Sequence, residues 1–278
     1  MQSLLAADAT FLIGLIAGLI VTGLAAGVLA GLLGVGGGIV IVPVLYNVLA
    51  TLGVAEDVRM HVAVGTSLAT IIPTAIASAR AHARRGAVDT SLVRAWAPFI
   101  GMGALMGAVA ANLIDGRSLS LVFGVIALLV AVDLVRPRTV HAQPAEGPPL
   151  HQPWAGMVGG VIGFFSALMG IGGGTLTVPI LSFLKFPIHR AIGTSAVFGL
   201  VIALPAATGY IIGGWGHDGL PPGNIGYVNL IGFALIAAIT FVSAPWGTRL
   251  AHAAFGPVLR WAFALFLVAT AVRMLARL

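Results

Sequence analysis

A five-residue glycine string that occurs twice constrains this chain more than any other feature. Gly34-Val35-Gly36-Gly37-Gly38 precedes Val42-Pro43, and Gly170-Ile171-Gly172-Gly173-Gly174 precedes Val178-Pro179 with the same internal spacing. Downstream, Ala63-Val64-Gly65-Thr66-Ser67 returns as Ala191-Ile192-Gly193-Thr194-Ser195, and Ala131-Val132 before Arg136 returns as Ala271-Val272 before Arg277. Three matches in one order mark a duplicated unit, and a period of roughly 130–140 residues is too long for a solenoid.

The medium in which that unit folds follows from composition. Hydrophobic residues make up 59% of the chain and charged residues 8%, with a mean hydropathy of +1.08, whereas soluble domains carry about 25% charged residues. Apolar segments fall at about 10–33, 39–52, 62–80, 92–113, 118–135, 154–171, 175–186, 191–213, 226–247 and 257–275, several of them near the ~20 residues that span a hydrocarbon core. Residues 137–153 are polar and proline-rich and read as a linker between a first repeat, 1–136, and a second, 154–278. Five segments per repeat is an odd number, so the two copies must cross the bilayer in opposite senses. The expected fold is an all-α polytopic membrane protein of two inverted repeats. Met1 to Thr10 lacks a basic stretch before the apolar run, so the first segment is expected to stay in the mature protein.

Charge placement agrees with that parity. With the N-terminus outside, the inner loops and their flanks hold Arg80, Arg84, Arg85, Arg94, Arg136, Arg138, Lys185, Arg190, Arg249 and Arg260, and the outer ones hold Arg59, Arg117, Arg273 and Arg277. Basic residues concentrate in cytoplasmic loops, which puts both termini outside. The formal charge of +6 is distributed as topology signals and does not form a nucleic-acid patch. The partners expected are a lipid bilayer and a small anion; nothing in the chain sets an oligomeric state.

The segments behind the glycine strings, Ile39 to Leu52 and Thr175 to Phe186, have 14 and 12 residues, about 18–21 Å of helix at 1.5 Å per residue. They are too short to cross. Short, glycine-interrupted segments at matching positions of two halves point to half-helices that begin inside the membrane. Such a start offers free N–H groups and the positive end of a helix dipole, an anion site without a charged side chain. The candidate residues are Gly34, Gly36, Gly37, Gly38, Gly170, Gly172, Gly173 and Gly174. Pro43 and Pro179 free further backbone groups. The competing reading is that these glycines only let helices approach. Thr66, Ser67, Thr194 and Ser195, near the starts of the third and eighth segments, offer hydroxyls to an oxyanion or, alternatively, bond their own helix carbonyls.

The acidic residues Asp8, Glu56, Asp57, Asp89, Asp115, Glu146 and Asp218 fall in loops or at termini and Asp133 lies near the end of the fifth segment, so no carboxylate stands ready for coupling at the midplane. His82, near the end of the third segment, is the candidate for gating or a proton-linked step, against a plain interfacial role. An intramembrane enzyme would need a nucleophile with its base or a metal-ligand set; the chain has no cysteine, no H-E-x-x-H string and no serine with an evident histidine partner. No catalytic residue, metal or cofactor is expected. A membrane scaffold would account for hydrophobicity but not for the duplicated short segments.

The paired GVGGG and GIGGG strings with their Val-Pro pairs and Gly-Thr-Ser strings, together with Ala81-His82-Ala83-Arg84-Arg85-Gly86, resemble the sulfite exporter TauE/SafE family, also called the 4-toluene sulfonate uptake permeases. The second half departs from it, with Gly213-Gly214-Trp215-Gly216-His217-Asp218 in place of the basic turn. The resemblance implies a multi-pass permease of the bacterial inner membrane that exports sulfite or an organosulfonate such as sulfoacetate. Transport of another small anion, a carboxylate, and a channel are the alternatives.

Overall fold

The structure, a computed structural model, describes residues 9–33, 37–135, 154–250 and 256–276. Ten helices lie in these stretches: α1 (Ala9–Leu33), α2 (Gly38–Thr51), α3 (Glu56–Ala83), α4 (Thr90–Ala111), α5 (Gly116–Val135), α6 (Trp154–Met169), α7 (Gly174–Phe183), α8 (Ile188–Gly213), α9 (Leu230–Leu250) and α10 (Gly256–Leu275). A two-stranded hairpin, β1 (Asn224–Ile225) and β2 (Val228–Asn229), precedes α9. Each apolar segment read from the sequence is a helix. Their ends differ where polar residues take part. α3 begins six residues before the apolar run because Glu56 and Asp57 occupy its first turn, where acidic side chains favour a helix start. α9 begins late because Gly226, with φ of 54°, turns the hairpin.

Five of the described helices are long and apolar enough to cross a membrane: α3, α4, α5, α8 and α9 over Leu230–Gly247. Their outer faces are apolar too, with Met102, Val109, Leu129, Val132, Ile212 and Val242 exposed. Apolar surface on both sides of a helix layer suits lipid as the solvent. Trp154, Trp215, Trp246 and Trp261 are exposed near helix ends, where indole rings sit at the headgroup level.

Small residues decide how the helices pack. A Cβ on Gly103 would lie 2.1 Å from the Gly160 carbonyl oxygen, and one on Gly107 would lie 2.3 Å from that of Phe164. Contact at a constant offset shows α4 and α6 running parallel. α1 and α9 repeat the arrangement, with Gly23 against Ile236 and Ile239 and Gly27 against Thr240 and Ser243. At the centre, α3 and α8 run antiparallel: Gly65 near the start of α3 meets Tyr210 near the end of α8, while Gly193 near the start of α8 meets Ala87 just past α3. Backbones this close exclude side chains, which is how helices associate without a hydrophobic drive between them. Helices α2 and α7 pack on α3 and α8, respectively.

Candidate functional site

Both short helices start in the middle of the bundle. Gly37 precedes α2 with φ of 77°, a left-handed conformation open to glycine at little cost. Gly38, the first residue of α2, lies where a Cβ would come within 2.2 Å of the Gly170 carbonyl oxygen and 2.9 Å of both Ile71 Cδ1 and Ser67 Oγ. Ser67 Oγ in turn donates to the Gly170 carbonyl, 2.7 Å away. The first glycine of the second string therefore sits directly against the last glycine of the first. Gly170 has φ of 66° and is hemmed in by Val42 and Val64. On the other side, Gly173 packs against Ser195, Phe198 and Gly199, and Gly199 faces Ile71 and Ala75 of α3. Gly172 and Gly174 are buried with them. Gly34 and Gly36 lie outside the described residues.

The two helix starts thus converge on the crossing of α3 and α8, about midway along both. Pro43 and Pro179 each stand five residues after the first residue of their short helix. A proline there cannot donate to the carbonyl one turn back, so unpaired backbone extends beyond the glycines.

The structure relocates the hydroxyls. Because α3 starts at Glu56, Thr66 and Ser67 lie well inside it and are fully buried, as are Thr194 and Ser195 in α8. Thr66 Oγ1 accepts from the amide of Asn229, 2.8 Å away, and Thr194 Oγ1 accepts from the amide of Asp89, 2.9 Å away. Both acceptors serve the residue that caps the fourth helix of the other half. Asp89 Oδ1 accepts from the Leu92 amide at 3.0 Å, and Asn229 Oδ1 accepts from the Gly232 amide at 2.8 Å, side-chain caps on α4 and α9. Ser195 Oγ donates only locally among the bonds shown, to the Ile192 carbonyl at 2.8 Å, the alternative raised from the sequence for such residues.

Asp89 lies in the loop between α3 and α4, as expected, but is buried there. It is 5% exposed and paired with Arg190 at the start of α8. Burial pushes its carboxyl up, but hydrogen bonds from the Ser91 hydroxyl and the Leu92 amide, with the Arg190 guanidinium, outweigh burial and hold it below the usual carboxylate range. His82 is buried, and its Nε2–H donates to the Gly31 carbonyl, 3.1 Å away, near the end of α1. A histidine in that place tethers α3 to the C-terminal turn of α1, whose carbonyls lack helical partners.

Sequence reasoning passes over seven further groups. The hydroxyls of Ser166, Thr175 and Thr177 and the indole N–H of Trp96 are buried without a hydrogen-bond partner, as are the side-chain oxygens of Ser78, Asn112 and Ser182. Thr175 and Thr177 stand in α7 directly behind the second glycine string, so that adjacency was the available signal; Trp96 and Ser166 carried none. No cluster of three metal-ligating side chains occurs among the described residues.

A lipid-suited helical bundle with two half-length helices starting at its centre defines a multi-pass membrane transporter. The family model described as "Sulfite exporter TauE/SafE" matches residues 19–274, and the chain belongs to that family. Its relatives agree. A probable membrane transporter protein of Haemophilus influenzae is 32% identical over 242 residues, 87% of this chain and 90% of that protein. Another, of Methanocaldococcus jannaschii, is 31% identical over 239 residues, 81% of each chain. A third, of Bacillus subtilis, is 32% identical over 213 residues, 70% of this chain and 78% of that protein. No solved structure matches.

Proposed function

We propose that this protein exports a small sulfur-containing anion, sulfite or an organosulfonate such as sulfoacetate, by alternating access around a site where α2 and α7 begin. The observation that carries the proposal is the convergence of Gly37-Gly38 and Gly170 to Gly174 on the α3–α8 crossing. Two helix N-termini aimed at one buried region offer N–H donors and dipole charge to an oxyanion. Ser67 and Ser195 flank the region, while Thr66 and Thr194 brace it through their caps.

Several contacts support two inverted repeats, 1–136 and 154–278, joined by the 137–153 linker. Gly23 rests on Ile236 and Ile239, and its counterpart Gly159 rests on Trp96 and Phe99; adding 136 to the glycine number and subtracting 140 from the others converts one contact into the other. The matched central helices α3 and α8 run antiparallel. Rocking one repeat against the other around the glycine strings would open each side in turn. With both termini periplasmic in a bacterial inner membrane, an inside-negative potential drives an anion outward by about 2.3 kcal/mol per charge per 100 mV, so export needs no coupling ion. His82, holding the end of α1 to α3, is placed to transmit such a movement.

Sulfite and sulfoacetate efflux from proteoliposomes under an imposed potential tests this reading, with a Gly37→Leu, Gly173→Leu double variant beside the intact protein. Saturable efflux lost in the variant is the expected result. Efflux kept by a folded variant reduces the glycines to packing residues; linear efflux identifies a channel; efflux of a carboxylate but of neither sulfur anion overturns the substrate.

A further inference from the structure

The two half-helix starts match in backbone and differ in side chains. The hydroxyls of Ser166, Thr175 and Thr177 in the second half, and the indole of Trp96 in α4 of the first, are all at most 2% exposed and lack a hydrogen-bond partner. The repeat pairs these positions with Ala30, Ile39, Ile41 and Ile236, every one fully buried and apolar. An unpaired polar group in such a place costs about 1–3 kcal/mol. Polar groups without partners at these four positions, against apolar residues at the four matching ones, make an asymmetry that asks for an occupant.

Trp96 says most about what the occupant is. The other four tryptophans are more than half exposed near helix ends, and Trp96 alone is completely buried. Its ring stacks on Phe198 with centroids 6.4 Å apart, and Phe198 Cβ lies 2.8 Å from where a Cβ on Gly173 would be. The indole thus belongs to the wall of the α7 start. An indole N–H donates and cannot accept, so its missing partner is an acceptor. Thr175 stands in the first turn of α7, and Cα–Cβ bonds tilt toward a helix N-terminus, which brings its hydroxyl back toward the free amides; Thr177, two residues on, projects from the other side of the helix.

We infer that the anion site is one-sided: an oxyanion of single charge binds against the start of α7, held by the Trp96 indole and the hydroxyls of Thr175 and Ser166, with the α2 start as an apolar counterwall. The inference rests on the transport reading above and narrows it. Every donor in the site is neutral, and each described lysine and arginine is exposed or half-buried. Burial of a charge costs more steeply than linearly in its size, so neutral donors select hydrogensulfite or a simple alkanesulfonate over sulfate or the doubly charged sulfoacetate.

The test measures half-saturation of methanesulfonate and sulfate efflux from proteoliposomes, alongside thermal unfolding of the detergent-solubilised, ligand-free protein. Trp96→Phe keeps the ring and Thr175→Val keeps the shape. Each is expected to raise the methanesulfonate half-saturation about tenfold, the loss expected for one hydrogen bond to a charged group. Thr175→Val should leave ligand-free stability equal or higher, since an unpaired hydroxyl is removed. Leu129→Ala, on the exposed apolar surface of α5, should leave half-saturation unchanged. Unchanged half-saturation in both Trp96→Phe and Thr175→Val overturns the one-sided site while leaving transport standing, and so does a fall in ligand-free stability of Thr175→Val. Sulfate carried as well as methanesulfonate overturns the single-charge assignment. Intact protein that moves no sulfur anion overturns the transport reading itself.

Discussion

The two ends of the central helix pair are built on one plan with different chemistry. At one end, the turn between α3 and α4 presents Asp89, whose amide bonds Thr194 and whose carboxylate caps α4 and pairs with Arg190 across to α8. At the other end, Asn229 takes the same place: its amide bonds Thr66 and its side chain caps α9, but its further partners are neutral, the Asn224 side chain, 2.6 Å away, and the Pro222 carbonyl. The repeated Gly-Thr-Ser strings supply the shared geometry. The difference teaches that the Asp89 fastening is ionic and the Asn229 one neutral, so a neutralising substitution at Asp89 removes an ion pair that the other end does not have.

Substitutions break or sharpen this comparison in descending order of effect. Gly38→Ala sets a methyl 2.2 Å from the Gly170 carbonyl, backbone against backbone, and should cost about 3 kcal/mol or more, read as loss of monodisperse protein after detergent extraction. Asp89→Ala removes a cap and leaves Arg190 unmatched. Because Arg190 is 39% exposed, the expected cost is discounted to about 2–3 kcal/mol, against about 1 kcal/mol for Asn229→Ala at the other end; thermal unfolding of the two variants measures the gap, and equal shifts would erase the distinction.

Ser67→Ala deprives the Gly170 carbonyl of its donor and should cost about 1 kcal/mol, whereas Ser195→Ala removes a bond within its own helix and should cost less than about 0.5 kcal/mol. The smallest effect is that of pH. A carboxyl held below its unfolded value contributes stability that is present at neutral pH and is lost only as pH falls through the folded pKa. Unfolding temperature should therefore show no Asp89 contribution to its pH dependence above about pH 5, and Asp89→Asn should reduce the decline on the acid side of about pH 4.

Much of this architecture was legible in the chain. The ten apolar segments became ten helices because lipid leaves the backbone no alternative, and the two undersized ones were visible from length alone. The hydroxyls were harder. Thr66 and Thr194 stood out by repetition, yet their partners, Asn229 and Asp89, lie 163 and 105 residues away, a distance that no local pattern bridges. Asp89 read as an ordinary loop acid because its burial depends on α8 arriving beside it.

The sequence by itself determined the membrane setting, the duplication and the short glycine-led segments, because hydropathy and backbone freedom are properties of each residue and its neighbours. Tertiary structure alone decided that Gly38 and Gly170 meet, that Ser67 bonds across the halves while Ser195 bonds within its own helix, and that Trp96 is buried without an acceptor. Those outcomes depend on how closely α3 and α8 cross and what packs around them, and helix approach is a joint property of side chains far apart in the chain.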